Sequence, residues 1–115
     1  MLQVVIDPRS ELAMHEDAPA ESVYMRGMFY VNGSDRIKRD KTIDFFILDP
    51  AYKVIYSRRK QVEGMFRINT EKEGQYTFVF SNMKDRIEKK TVTLLINPGR
   101  EIEEPKSETQ LAKEL

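Results

Sequence analysis

The chain has 115 residues, which is enough for one domain with a single hydrophobic core. Its 19 basic and 19 acidic residues cancel, which argues against a dedicated nucleic-acid binder, because such domains carry a basic excess. The absence of cysteine excludes a disulfide framework, a thiol nucleophile and a zinc–thiolate site. Within these 115 residues we expect no membrane-spanning helix, because no apolar run approaches the roughly 18–20 residues that one needs, and the apolar run at residues 2–6 is too short for a signal peptide.

Short segments rich in Tyr, Phe, Val, Ile and Thr predict β-strands, and turn residues separate them. Seven strands are predicted, at residues 2–6, 22–31, 42–48, 53–57, 64–69, 75–81 and 91–97. Helical segments between the strands are lacking, which argues against a parallel α/β sheet. The pattern therefore predicts an all-β fold, an antiparallel β-sandwich of about seven or eight strands.

The phase of the alternation predicts which side chains form the core. Successive side chains of a strand point to opposite faces, so apolar residues at every second position line one face. The predicted inter-sheet core is made by three such sets: Phe66 and Ile68; Tyr76, Phe78 and Phe80; Val92, Leu94 and Ile96.

The strand at 22–31 also carries apolar residues on its second face. If Phe29 and Val31 face the core, then Tyr24, Met28 and Tyr30 form an apolar outer strip that would suit a partner interface. A central strand that is covered on both sides would show the same pattern.

Few residues are candidates for chemistry. His15 is the only histidine, and the run His15-Glu16-Asp17 predicts a solvated loop rather than a metal or acid–base site. The basic runs at 57–60 and 84–90 are interpreted as solvated hairpin loops, with a surface for acidic partners or phosphoinositides as the weaker interpretation. We find no catalytic or cofactor motif, and we expect no enzyme, cofactor or metal site.

Two further segments carry open alternatives. Asn32-Gly33-Ser34 matches the N-glycosylation sequon, but it is also a common turn. We expect the domain to cover residues 1–99, followed by a charged tail at 100–115. Ser107-Glu108-Thr109-Gln110 has the form of a capping box, so both the start of a coiled-coil stalk and a disordered tail fit.

A series of short motifs in the second half resembles a known family. The motifs are Asp-Pro at 49–50, Val-Ile-Tyr at 54–56, Gly64 and Phe66, Glu-Gly at 73–74, an aromatic strand ending in Ser-Asn at 76–82, and Lys-Thr-Val at 90–92. Their order and spacing resemble a GOLD (Golgi dynamics) domain, in particular the luminal domain of the 24-kilodalton family of transmembrane cargo receptors. The resemblance covers most of residues 2–97, and it is looser in the first half, where Glu16 and Asp17 fit an acidic pair.

In one respect this chain departs from the pattern of the family that it resembles. Members normally join the opening segment to the penultimate strand by a disulfide, and the match places Ala13 and Val79 at the two cysteine positions. Losing such a bridge costs on the order of 2–4 kcal/mol, so packing must offset it. Natural loss, engineering of both positions, and a divergent adaptor that lacks the bridge all fit this departure.

The function implied by the resemblance is protein transport without catalysis. It implies the luminal part of a single-pass membrane protein of the endoplasmic reticulum, Golgi apparatus and transport vesicles, which binds cargo and related family members and forms homo- or hetero-oligomers. The alternatives are a soluble cytoplasmic GOLD-type adaptor and a lipid- or carbohydrate-binding sandwich module.

Overall fold

The computed structural model describes residues 1–18, 24–34, 37 and 39–97. Its strands are β1 (Leu2–Ile6), β2 (Glu11–Ala18), β3 (Tyr24–Val31), β4 (Ile43–Leu48), β5 (Val54–Gln61), β6 (Glu63–Asn69), β7 (Gly74–Ser81) and β8 (Lys90–Asn97). They form two four-stranded antiparallel sheets. Sheet 1 has the order β1-β8-β3-β6, and sheet 2 has the order β2-β7-β4-β5. The prediction of an all-β antiparallel sandwich is confirmed.

Strand β2 corrects the prediction of a solvated loop around His15. Residues Glu11 to Ala18 pair with β7 at eight consecutive positions, so the backbone of this segment is bonded within the sheet. Leu12 and Met14 are only partly buried, and the strand lies at a sheet edge. Edge strands commonly carry charged side chains, which discourage pairing with another chain and weaken the apolar alternation.

Strand β5 corrects the prediction that residues 57–60 form a hairpin loop. The strand continues through this basic run to Gln61, and β4 supplies its hydrogen bonds. Two arginines of the run lie over aromatic rings, Arg58 at 4.3 Å from the ring centre of Tyr56 and Arg59 at 5.8 Å from that of Phe46. Charged side chains are typical of an edge strand, where they discourage pairing with another chain.

The core lies between the sheets, and its centre is aromatic. Phe45 of sheet 2 is fully buried, and its ring centre lies 4.8 Å from that of Phe29 and 5.3 Å from that of Phe66, both in sheet 1. The three sets of side chains predicted for the core all face inward, and only Ile96 among them is partly rather than fully buried. The predicted phases of β6, β7 and β8 are therefore confirmed.

Two glycines make room for core rings on the neighbouring strand. Gly64 of β6 lies opposite Phe29 of β3, and Gly27 of β3 lies opposite Phe66 of β6. A Cβ atom on Gly64 would lie 2.6 Å from the Phe29 ring, and one on Gly27 would lie 2.6 Å from the Phe66 ring. Each phenylalanine ring thus lies over the glycine of the neighbouring strand, in the space that a side chain at that glycine would occupy.

Candidate interaction surface

The outer face of sheet 1 carries a row of exposed apolar side chains. Met28 of β3 lies directly opposite Met65 of β6 on one side and Leu95 of β8 on the other. These three residues, which we call the methionine row, are exposed to 45%, 79% and 49% respectively. Exposed apolar groups that are contiguous across a sheet are typical of a contact surface.

Charged and polar groups flank the methionine row on both sides. On one side Arg26 lies opposite Arg67, and the guanidinium of Arg67 is held 4.4 Å from the centre of the Tyr24 ring. On the other side Tyr30 lies opposite Glu63. The face therefore has an apolar centre, a basic flank and an acidic flank.

A shallow cavity of about 550 Å³ opens on this face. It is lined by Arg26, Gly27, Met28, Met65, Phe66, Arg67, Leu95 and Asn97. A smaller cavity of about 220 Å³ lies on the other side of Met28, where Met1 and Tyr30 contribute to its wall. Met28 thus separates two depressions, and an apolar group from a partner could enter either.

The structure places the predicted strip Tyr24, Met28 and Tyr30 on this outer face, opposite the buried Met25, Phe29 and Val31. Strand β3 is central in sheet 1, yet Met28 and Tyr30 remain accessible. Met65 and Leu95 were not predicted as their neighbours, because their positions beside Met28 depend on the register of three strands.

Ala13 and Val79 are cross-strand partners on the outer face of sheet 2. Ala13 of β2 lies directly opposite Val79 of β7, and Val79 lies opposite Phe46 of β4. Directly opposite residues have Cβ atoms about 4.5–5.5 Å apart, close to the spacing that a disulfide requires. The directly opposite register of the pair is thus compatible with a bridge between cysteines at these two positions.

Asn32 lies in the turn that follows β3. Gly33 has a φ of 76°, and the N–H of Ser34 donates to the carbonyl oxygen of Val31 at 3.2 Å, as in a type II turn. The Asn32 side-chain oxygen accepts a hydrogen bond from the Thr93 hydroxyl at 2.8 Å. The sequon thus coincides with an ordered turn.

His15 lies in the middle of β2, opposite Thr77 of β7. Its Nδ1 is 3.1 Å from the Thr77 hydroxyl oxygen, within hydrogen-bonding distance. Among residues 1–18, 24–34, 37 and 39–97, no group of three or more His, Asp or Glu side chains converges in a way that could hold a metal ion.

A buried polar cluster joins the loop between β7 and β8 to the turn between β1 and β2. Lys90 is only 4% exposed, and its Nζ donates to Asn82 Oδ1 and Asp85 Oδ2, both at 2.9 Å. The Asn82 amide nitrogen lies 3.2 Å from the carbonyl oxygen of Ile6 and 2.8 Å from that of Glu88. We call Asn82, Asp85 and Lys90 the Asn82 cluster. The prediction of a solvated loop is wrong at Lys90, which begins β8.

The Asp-Pro turn and the Glu-Gly turn pack against each other. Asp49 accepts hydrogen bonds from the N–H groups of Ala51 and Lys53, each at 2.9 Å. The hydrogen bond from Lys53 is the main reason that the pKa of Asp49 is lowered. Gly74 has a φ of 136°, and a Cβ atom there would lie 2.9 Å from the Pro50 ring. These contacts give both turns a role in the fold.

In the part of the chain that the structure describes, no helix has the length and apolar character needed to cross a membrane. The tail at 100–115, and with it the expected end of the domain at residue 99, lies outside the described residues. So do the first two residues of the strand predicted at 22–31.

Comparison with known proteins identifies the family. The family described as emp24/gp25L/p24 family/GOLD matches residues 1–114 of the chain. The chain belongs to this family. Transmembrane emp24 domain-containing protein A of Dictyostelium discoideum is 31% identical over 78 residues, which are 64% of this chain and 38% of that protein. The chain thus spans well under half the length of this relative.

Family membership confirms the predicted resemblance to a GOLD domain. Several of the motifs behind that prediction make contacts that hold this structure together. Asn82 and Lys90 form the buried cluster, Gly64 accommodates the Phe29 ring, and Gly74 packs against Pro50. These residues therefore maintain the fold.

Proposed function

We propose that this chain is the luminal, non-enzymatic domain of a vesicle cargo receptor that moves proteins between the endoplasmic reticulum and the Golgi apparatus. The full-length protein is then a single-pass membrane protein, and this domain acts by binding cargo and related family members. The observation that carries the proposal is the family match over residues 1–114. The name of the Dictyostelium relative, a transmembrane protein, supports the membrane anchor.

The outer face of sheet 1 is proposed as the surface for protein contacts. It includes the strip Tyr24, Met28 and Tyr30 and extends to the rest of the methionine row. Methionine side chains are flexible and polarisable, so they can adapt to partners of different shape. An apolar centre with charged flanks also has the composition of a weak, reversible interface.

The loss of the family disulfide is proposed for Ala13 and Val79, whose cross-strand pairing supports this assignment. In sheet 2 the valine lies between its cross-strand neighbours Ala13 and Phe46 on the outer face.

Protease protection of the full-length protein tests the location. Microsomes from cells that express the tagged full-length gene are treated with protease, with and without detergent. We expect this domain to be protected until detergent is added, because a luminal domain is enclosed by the membrane. Digestion without detergent would overturn the proposal in favour of a cytoplasmic GOLD-type adaptor.

Glycosylation at Asn32 gives a second measurement on the same sample. We expect a glycosidase-sensitive mobility shift that is lost in Asn32→Gln and in Ser34→Ala, and that is retained in Ser34→Thr, which preserves the sequon. A protected domain without this shift would contradict the assignment of Asn32 while leaving the luminal location intact.

A further inference from the structure

The outer face of sheet 1 is organised in rows that run across the strands. Cross-strand pairing aligns three of them: Met65, Met28 and Leu95; Arg67, Arg26 and Asn97; Glu63, Tyr30 and Thr93. The methionine row lies in the middle, with the basic row on one side and the row of Glu63 on the other. Opposite charges therefore lie on the two sides of an apolar line.

This pattern is self-complementary about one particular two-fold axis. Consider two copies that meet face to face and are related by a two-fold axis along the methionine row. The basic row of each copy then lies against the row of Glu63 of the other copy. Arg67 then lies opposite Glu63 of the second copy, and the same contact occurs twice. Arg26 lies opposite the ring of Tyr30 of the second copy, a favourable arrangement for a cation and an aromatic ring.

The other simple arrangement is disfavoured by charge. A two-fold axis parallel to strand β3 would place Arg26 of one copy against Arg26 of the second. Like charges that face each other across an interface are repulsive, and natural interfaces avoid them. The distribution of charge on this face thus selects the axis across the strands.

We propose that the partner of this face is a second copy of the same domain, seated about a two-fold axis along the methionine row. The inference rests on the proposed function and deepens it by naming the partner and its orientation. Met28 and Met65 of the two copies pack against each other, where their flexible side chains can fill the depressions on both sides of Met28.

The size of the face indicates how strong this dimer is. Four strands spaced about 4.8 Å apart, with about seven residues each at about 3.4 Å per residue, give a face on the order of 450 Å². Two such faces bury less than about 1,200 Å² in total, which is the range of weak and transient complexes. We therefore expect a dissociation constant in the micromolar range or weaker, as suits a receptor that exchanges partners.

Charge reversal tests the proposed orientation. Sedimentation velocity is measured on the 115-residue chain up to about 1 mM, for the wild type, Arg67→Glu, Glu63→Arg and the double variant. Each single reversal places like charges opposite each other twice, so we expect association to weaken at least about tenfold. The double variant restores opposite charges, and we expect its association to return to within about threefold of the wild type.

The controls separate a change in the interface from a change in folding. Arg59→Glu reverses a charge on β5 of the other sheet, and we expect it to leave association unchanged. Arg67 lies over Tyr24, and Glu63 also makes contacts within its own copy, so each variant is first checked by circular dichroism and urea unfolding. If a reversal unfolds the chain, Arg67→Gln and Glu63→Gln remove the charges more mildly and are expected to weaken association several-fold.

Three results would overturn the inference. The first is a monomer at all concentrations, and the second is a double variant that associates as weakly as the single variants. The third is a dimer that persists unchanged in Met28→Glu, since the second copy would then occupy another face. None of these results bears on protease protection of the full-length protein, so this inference can fail while the proposed luminal location stands.

Discussion

At the scale of single residues, Lys90 shows how a charged side chain can serve the fold. Its ammonium group is buried and makes hydrogen bonds to Asn82 and to Asp85, so the charge is compensated where it lies. A buried charge is tolerated only when it is paired and hydrogen-bonded. The lysine of the Lys-Thr-Val motif is thereby explained by the closure of the loop between β7 and β8.

Lys90→Ala is expected to destabilise the domain by about 2–3 kcal/mol, because it leaves Asn82 and Asp85 without their cationic partner. The neighbouring Lys89→Ala is the matched control. Lys89 is 3.9 Å from Asp7, and both side chains are largely exposed, so we expect a loss below about 0.5 kcal/mol. Urea unfolding measures the stability of both variants, and equal losses of stability would contradict the role assigned to the Asn82 cluster.

The same cluster predicts a dependence of stability on pH. The pKa of Asp85 is lowered far below its usual range, first by the N–H of Glu88, then by the N–H of Ile87 and the ammonium of Lys90. A carboxyl group with a lowered folded-state pKa stabilises the fold above its unfolded pKa of about 4, and this contribution is lost as the pH falls below that value.

We therefore expect Asp85→Asn to be less stable than the wild type at neutral pH, with a difference that shrinks as the pH falls from about 4 to about 2. Urea midpoints across this range give the measurement. Asp17→Asn, at an exposed position of β2, serves as the control and should follow the wild type. A gap for Asp85→Asn that stays constant with pH would contradict the prediction.

At the scale of strands, those whose two faces differ clearly in polarity were the ones predicted correctly from the sequence. Strands β6, β7 and β8 alternate clearly, since one face is buried in the aromatic core, and their phases were predicted from the sequence. Strands β2 and β5 lie at the edges of sheet 2, where exposed polar side chains weaken the pattern. Strand β2 was not predicted, and β5 was predicted to end at residue 57, four residues before its end at Gln61.

The candidate surface was only partly predictable for a related reason. The outward phase of Tyr24, Met28 and Tyr30 follows from β3 alone. The neighbours Met65 and Leu95 come from strands distant in sequence, and their alignment with Met28 depends on the register of β3 with β6 and β8. A single strand pattern contains no information about that register.

The pairing of β2 with β7 predicts that a disulfide can be introduced. In the variant that combines Ala13→Cys with Val79→Cys, the two thiols lie directly opposite each other, so we expect a bridge to form on oxidation. It should raise the free energy of unfolding by about 2–4 kcal/mol, because it constrains the unfolded chain. Thiol titration and urea unfolding with and without reductant measure both effects.

The matched control combines His15→Cys with Val79→Cys. Position 15 lies opposite Thr77 rather than Val79, so the two thiols are diagonal neighbours with Cα atoms about 7–8 Å apart. We expect little bridging in this control. Efficient bridging in the control, or none in the directly opposite pair, would contradict the register of β2 with β7.

At the scale of the whole molecule, the inner and outer faces of the sandwich have separate roles. The inner faces meet around Phe45, whose ring approaches those of Phe29 and Phe66 in the opposite sheet. The outer faces carry the methionine row and the Ala13–Val79 pair. Adjacent residues of one strand alternate between these roles, so a surface can change while the core that joins the sheets is kept.

Phe45 and Phe46 test this division, because they are neighbours on β4 that point to opposite faces. Phe45 is fully buried and contacts rings of both sheets, so Phe45→Ala should cost about 3–5 kcal/mol. Phe46 is half-buried on the outer face, and Phe46→Ala should cost about 1–2 kcal/mol. Urea unfolding followed by circular dichroism and tyrosine fluorescence compares them, with Phe45→Leu as the milder variant if Phe45→Ala does not fold. Because Phe45 joins the two sheets, we expect both signals to change in one transition for every variant that folds. Equal losses at the two positions, or separate transitions, would show that the sheets do not depend on a shared core.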